Sequence, residues 1–306
     1  MKKIILLLLS FCCLQAVQAQ DEAIFNHYLV NHVLINPASA GFNGAPQIQL
    51  NYRGQWSGFE DAPQTYMALF QTPVGKTFGL SAGVLTETAA QITRLRGQLN
   101  FGFRFPVGEH VKIAAGVSTE FQQMRVGNDI FDSNFFQLGD RLLDEFMDGK
   151  DVFDASLGFY GTIKDRTFVG LTFANLVRAR LDNIVDDNQE SFFSYYTFHA
   201  GHKFDIADLN FNLEPSILIR QIRDVPFQMD FNLKAGFMDD QLITGLSYRS
   251  LGSMAVLLGT NVSDFQIFYS YDVSFQRFQR FNMGSHEVTV AFTFRKKDRP
   301  APEVGN

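Results

Sequence analysis

The sequence predicts an all-β fold: a transmembrane antiparallel up-and-down β-barrel of about 14 strands, with a short non-barrel N-terminal segment. Three observations predict it. Residues 227–237, FQMDFNLKAGF, alternate strictly, with Phe227, Met229, Phe231, Leu233, Ala235 and Phe237 set against Gln228, Asp230, Asn232, Lys234 and Gly236. A strand has period two, so this segment carries one apolar face and one polar face. Similar alternation recurs along the chain, mostly in segments that reach the ~9–11 residues a tilted strand needs to cross a bilayer. Finally, the connections sort by length as transmembrane barrels require, with short turns at one end and several long loops at the other.

The elements follow in order. MKKIILLLLSFCCLQAVQAQ opens with Lys2 and Lys3, an apolar run and a small-x-small site at Val17 and Ala19. It reads as a signal peptide over 1–19. The run is too short for a spanning helix of ~20 residues, and Phe11 before Cys12 is not the small residue a lipidated cysteine needs. Both cysteines lie in this segment, so the expected mature chain has no disulfide, cysteine metal site or thiol nucleophile. Residues 20–45 show no alternation and are expected in the periplasm or the lumen. The barrel is expected over 46–295, with strands at 46–56, 63–72, 77–87, 92–106, 109–125, 152–164, 166–176, 193–204, 208–221, 226–238, 241–250, 253–262, 265–275 and 285–295. Strands 63–72 and 253–262 alternate poorly.

Connections after even-numbered strands are short: TPVGK before 77, PVG at 106–108, KDR at 164–166, DIA at 205–207 and DD at 239–240. Several after odd-numbered strands are long: 57–62, 126–151, 177–192 and 276–284. An even strand count places both termini in the periplasm, including the tail KKDRPAPEVGN at 296–306. Within the longest loop, GDRLLDEFMDGKD is expected to form a short helix whose apolar side plugs the outer mouth or docks a partner. Its acidic residues read as a solvated charge run.

The composition fits an inside-out barrel. There are 33 Phe and 24 Gly, and 46% hydrophobic residues against 19% charged. The Phe and Leu face meets outer-membrane lipid, the polar face lines the lumen, and closure leaves no unpaired backbone edge. A soluble sandwich or lipocalin-like barrel is the alternative; strand length, strand number and the Phe excess on one face weigh against it. The net charge of −6 gives no support to nucleic-acid binding. The expected lumen face includes Arg94, Arg96, Arg104, Lys112, Glu120, Asp154, Asp230, Lys234, Arg249, Asp272, Glu287 and Arg295. Its mixed signs read as an internal network of paired charges rather than an ion or solute pathway. Trp56, Phe59, Tyr195, Tyr196 and Tyr248 near strand ends suit aromatic girdles. No HExxH, GxSxG or P-loop pattern occurs, and His199 and His202 fall on opposite faces. No catalysis, cofactor or metal is expected.

The stretch AIFNHYLVNHVLINPASAG, then NYRGQWSGFEDAPQT, then YSYDVSF and GSHEV near the other end, together resemble the PorP/SprF family of outer-membrane proteins. The resemblance spans residues 20–295 and rests on Asn36, Pro37, Arg53, Gln55, Trp56, Tyr271, Asp272, Gly284, Ser285, His286 and Glu287. It implies a non-enzymatic barrel associated with type IX secretion and gliding motility. Its implied partners are type IX secretion components and a large secreted surface protein such as an adhesin, whose export or attachment it supports. A general diffusion porin or small-solute transporter remains the alternative. Asp272 and Glu287 fall on the lumen face of adjacent strands, where Arg53 can also point. A closed network between first and last strands would follow.

Overall fold

The computed structural model describes residues 25–127, 149–177, 179–180, 195–206, 210–222, 227–275 and 283–295. Its strands are β1 (Gln47–Gly54), β2 (Gln64–Val74), β3 (Phe78–Ala89), β4 (Ile92–Val107), β5 (Val111–Val126), β6 (Lys150–Ile163), β7 (Thr167–Phe173), β8 (Ala179–Arg180), β9 (Tyr196–His202), β10 (Phe204–Ile206), β11 (Phe211–Gln221), β12 (Gln228–Phe237), β13 (Leu242–Arg249), β14 (Ser253–Val262), β15 (Phe265–Ser274) and β16 (Ser285–Thr293).

All pairings are antiparallel neighbours, and the sheet closes twice over. β1 pairs β16 with Arg53 opposite Glu287, and β9 pairs β11. β9 and β10 both lie on β11 and form one stave interrupted at Lys203. The result is a closed 14-strand barrel with one extra strand, β8, on β6. Each of the fourteen segments read from the sequence supplies one stave.

The solvent logic of the opening stretch is visible in β12. Gln228, Asp230, Asn232 and Gly236 are buried inside, while Phe231, Leu233 and Phe237 are exposed outside. Phe70, Phe78, Phe101, Phe105, Phe121 and Phe159 are also exposed on the wall, as an apolar solvent demands. Among the described residues no helix is long and apolar enough to cross a membrane. β4 and β5 have 16 residues each, against 7 in β7 and β9. Sixteen residues rise ~53 Å along the strand at ~3.3 Å each, or roughly 40 Å along the axis of a barrel with strands tilted ~40°, more than the ~25 Å apolar band requires.

β2 and β14, where the sequence pattern is broken, alternate cleanly in burial. Their inward residues include Met67, Leu69 and Leu257, which are apolar because they pack on the segment inside the barrel. Two expectations need correction. Tyr195 does not join an outer girdle: it is buried within the barrel, since it shares the inward parity of Thr197 and His199. Arg295 is not a lumen residue; it lies past the end of β16 and pairs with Asp264 at the exposed rim. Phe59 and Tyr248 are exposed, and Trp56 and Tyr196 are half-buried. The helix expected in GDRLLDEFMDGKD and the signal peptide lie outside the described residues.

Candidate functional site

Residues 25–44 run inside the barrel as three short 3-10 turns, His27–Leu29, His32–Leu34 and Pro37–Ser39. Local chemistry sets the last two. Asn31 and Asn36 cap them with side-chain oxygens that accept from Val33 N and Ala38 N, and Pro37 sits at the first helical position, where its missing N–H costs nothing.

The last turn lies on a floor without side chains. Gly79, Gly102, Gly116 and Gly158 are successive cross-strand partners on β3 to β6, and Gly170 continues the patch on β7. A Cβ on Gly116 would stand 2.5 Å from the Ala38 backbone, and one on Gly79 would overlap the Ala40 carbonyl. Only glycine lets two backbones approach this closely. Asn36 Nδ2 then donates to Phe159 O at 2.9 Å. The Arg104 guanidinium donates to Gly41 O at 2.7 Å and lies over the Phe42 ring.

The other end of the segment meets charge. Arg53 pairs with Glu287 at 3.1 Å and Asp272 at 3.3 Å, and Arg249 pairs with Asp230 at 3.4 Å and Asp272 at 3.5 Å. Two guanidinium groups thus face three buried carboxylates. The excess negative charge meets the segment's backbone: Asn26 N and His27 N donate to the two Glu287 oxygens at 2.7 and 3.2 Å. Arg249 donates to Asn26 Oδ1, Lys234 to Leu29 O, and Tyr28 OH to Asp230 and Asn232. Buried charges persist only when paired and hydrogen-bonded, and here the segment completes that set.

Apolar contacts fill the rest. Phe25 and Val33 pack with Met67, Leu69 and Leu85; Tyr28 and Leu29 pack on Leu218; and Ala38 packs with Ala114, Tyr160 and Phe168. Ordering a residue costs ~1–2 kcal/mol and a hydrogen bond returns only ~0.5–1.5 kcal/mol net, so these contacts are needed to hold the segment. The space left beside it is a cavity of about 140 Å³, comparable to one that holds a benzene-sized solute. Asn36, Arg96, Glu120, Thr172 and Arg220 are among its lining residues.

The positions singled out in the sequence separate into two groups. Asn36, Pro37, Arg53, Asp272 and Glu287 are inside, Asn36 and Pro37 on the glycine floor and the other three in the charge cluster. Ser285 is also buried and accepts from Trp56 N. Tyr271 and His286 stack outside at 5.0 Å, and Tyr271 OH donates to Met283 O. Gly284, with φ +80, leaves room for the Tyr271 ring. Gln55 only continues the β1–β2 connection through its backbone. The glycine floor was missed in the sequence, although each of its members has inward parity in its strand.

A lipid-faced barrel whose lumen is occupied by its own N-terminal segment defines the class: a plugged outer-membrane β-barrel. The profile of the type IX secretion system membrane protein family PorP/SprF matches residues 17–292, and the chain belongs to that family. A comparison with curated proteins finds no match. Solved structures share the fold. A TodX mutant described as a monoaromatic hydrocarbon channel aligns with a TM-score of 0.52 at 9% identity, covering 89% of this chain and 94% of that one. The CymD monoaromatic hydrocarbon channel gives 0.51 at 11%, covering 89% and 94%. The P. putida toluene transporter TodX gives 0.51 at 10%, covering 87% and 95%.

Proposed function

We propose that the protein is a non-conducting outer-membrane anchor of type IX secretion, supporting the export or surface attachment of a large secreted protein such as an adhesin. The observation that carries this reading is the lumen. A diffusion porin needs a continuous aqueous path, whereas here some twenty residues of the chain's own backbone occupy it and are tied to both sides of the wall. The wall and plug together form a rigid cylinder suited to holding a partner at its ends. In this reading both termini of the barrel face the periplasm, and the long loops face outward toward the secreted protein. The family and the fold are non-enzymatic in kind, and the charge cluster is structural. The channels with a similar fold favour the porin alternative only at the level of the barrel, since their likeness lies far below the identity at which function transfers.

The test is isolation of the tagged protein from native outer membranes in mild detergent, with crosslinking and mass spectrometry, beside single-channel recording of the purified protein. Recovery of type IX components or one large surface protein, with conductance near baseline, is the expected result. Recovery of the barrel alone with a large stable open state would establish the porin.

A further inference from the structure

We propose that His32 and His199 together hold one borderline divalent transition-metal ion, of the Zn²⁺ or Cu²⁺ class, that clips the lumen segment to β9. The proposal goes beyond the anchoring reading and does not depend on it.

His199 is the anomaly that points to a ligand. It is 3% exposed, and neither ring nitrogen has a hydrogen-bond partner. A neutral imidazole carries one N–H and one lone pair, and leaving either buried and unpaired is costly, so such a group in a native interior marks a missing partner. The wall is shaped around this ring: a side chain at Gly170 would collide with it. The ring facing it from the lumen segment is His32, with centroids 5.2 Å apart and planes at 50°. Two imidazoles bound at ~2.0–2.1 Å to one tetrahedral ion hold their centroids about 5 Å apart.

The surroundings fit a ligand pair. His32 Nδ1 bonds to Tyr160 OH at 2.9 Å. With Nδ1 as the donor, Nε2 is left with the free lone pair, and fixing the second nitrogen in this way is what metal-ligating histidines require. Thr197 is the next inward residue on β9 and lines the lumen cavity with Thr172 and Asn36. Among the described residues no cluster of three or more His, Cys, Asp or Glu exists, so the two imidazoles are the protein's whole share of the coordination and solvent carried in with the ion completes it. Two neutral nitrogen ligands favour copper and zinc over magnesium, calcium or manganese.

The experiment uses the tag-free full chain in detergent. Zn²⁺ uptake is measured by equilibrium dialysis, and Cu²⁺ is used for electron paramagnetic resonance. We expect one ion per chain, a Cu²⁺ spectrum split by two imidazole nitrogens, and a loss of affinity of at least about tenfold in both His32→Gln and His199→Gln. His202→Gln, on the opposite face of β9, should bind as the parent does. Folding is read separately from heat-shifted gel migration, and if His199→Gln does not fold, His32→Gln in the non-barrel segment carries the same test. Absence of uptake, a spectrum with one nitrogen or none, or uptake unchanged by His32→Gln overturns the proposal. Conductance tests the anchoring reading independently, since a plugged barrel without metal stays closed.

Discussion

The two sides of the barrel wall hold the same segment by opposite means. On β12, β13, β15, β16 and β1 the wall reaches inward with charge: Arg53, Asp230, Arg249, Asp272 and Glu287 form one ion-pair cluster, from which Glu287 accepts the backbone N–H groups of Asn26 and His27 and Arg249 reaches the Asn26 side chain. On β3 to β7 the wall withdraws: Gly79, Gly102 and Gly116 let the backbone of residues 37–41 lie against the strands, and Gly158 and Gly170 make room for the side chains of Asn36, Pro37 and His199. The charged side specifies position, because a buried ion pair tolerates little displacement. The glycine side specifies depth, because any added atom lifts the segment. A wall of one kind alone would give either a bound segment that stands off the strands or a close fit with no fixed register.

The largest effect expected on this comparison comes from removing the segment altogether. Deletion of residues 25–41 with residues 1–24 retained should turn a nearly silent protein into one with stable open-channel current in planar bilayers; a silent deletion would mean that the segment is not what closes the barrel. Next is the charged side. Glu287→Ala leaves Arg53 with Asp272 alone and removes the acceptor for two backbone N–H groups, a loss of ~3–5 kcal/mol. It should lower the temperature at which the band loses heat-resistant migration, and Arg53→Ala should do the same. If the double variant is no worse than either single one, the pair acts as one unit.

The glycine side should answer more weakly and differently. Gly116→Val forces a shift that costs ~1–3 kcal/mol. The wall should stay folded on the gel, while added protease cuts within residues 25–44 faster than in the parent. Equal cutting would show that the floor is not what sets the depth.

The smallest effect lies at the short-turn end. Burial opposes ionisation of Asp240, but hydrogen bonds from Lys203 and Asn212 together with the Lys203 charge outweigh it and hold its carboxyl below the usual range. A depressed folded pKa gives stability that is present above the unfolded value near 3.8 and is lost as pH falls through the folded one. Asp240 is more than a third exposed and Lys203 more than a quarter, so the contribution is well under about 1 kcal/mol. Melting curves of the parent and Asp240→Asn should differ slightly at pH 6 and converge toward pH 3.

Period-two alternation made the staves legible because lipid outside and polar lumen inside act on every strand alike. The alternation weakened at 63–72 and 253–262, where the inward Met67, Leu69 and Leu257 serve a solvent that is neither lipid nor water: the apolar flank of the chain's own segment. In the same way, parity placed Arg53, Asp272 and Glu287 on one face but could not bring His32 to His199, since nothing local encodes a contact across 167 positions. The glycine floor was legible in principle. It needed the register of five strands at once, and register is a property of pairing rather than of any one segment.

The residues that open the described chain are read by the strand that ends it. Asn26 and His27 rest on Glu287, four residues from the seam partner of Gln49. A chain cut short before β16 therefore loses the Glu287 anchor and the seam in the same event. Without β16, the edges of β1 and β15 that it pairs are left open. Closure of the wall and docking of the segment thus both draw on the same strand.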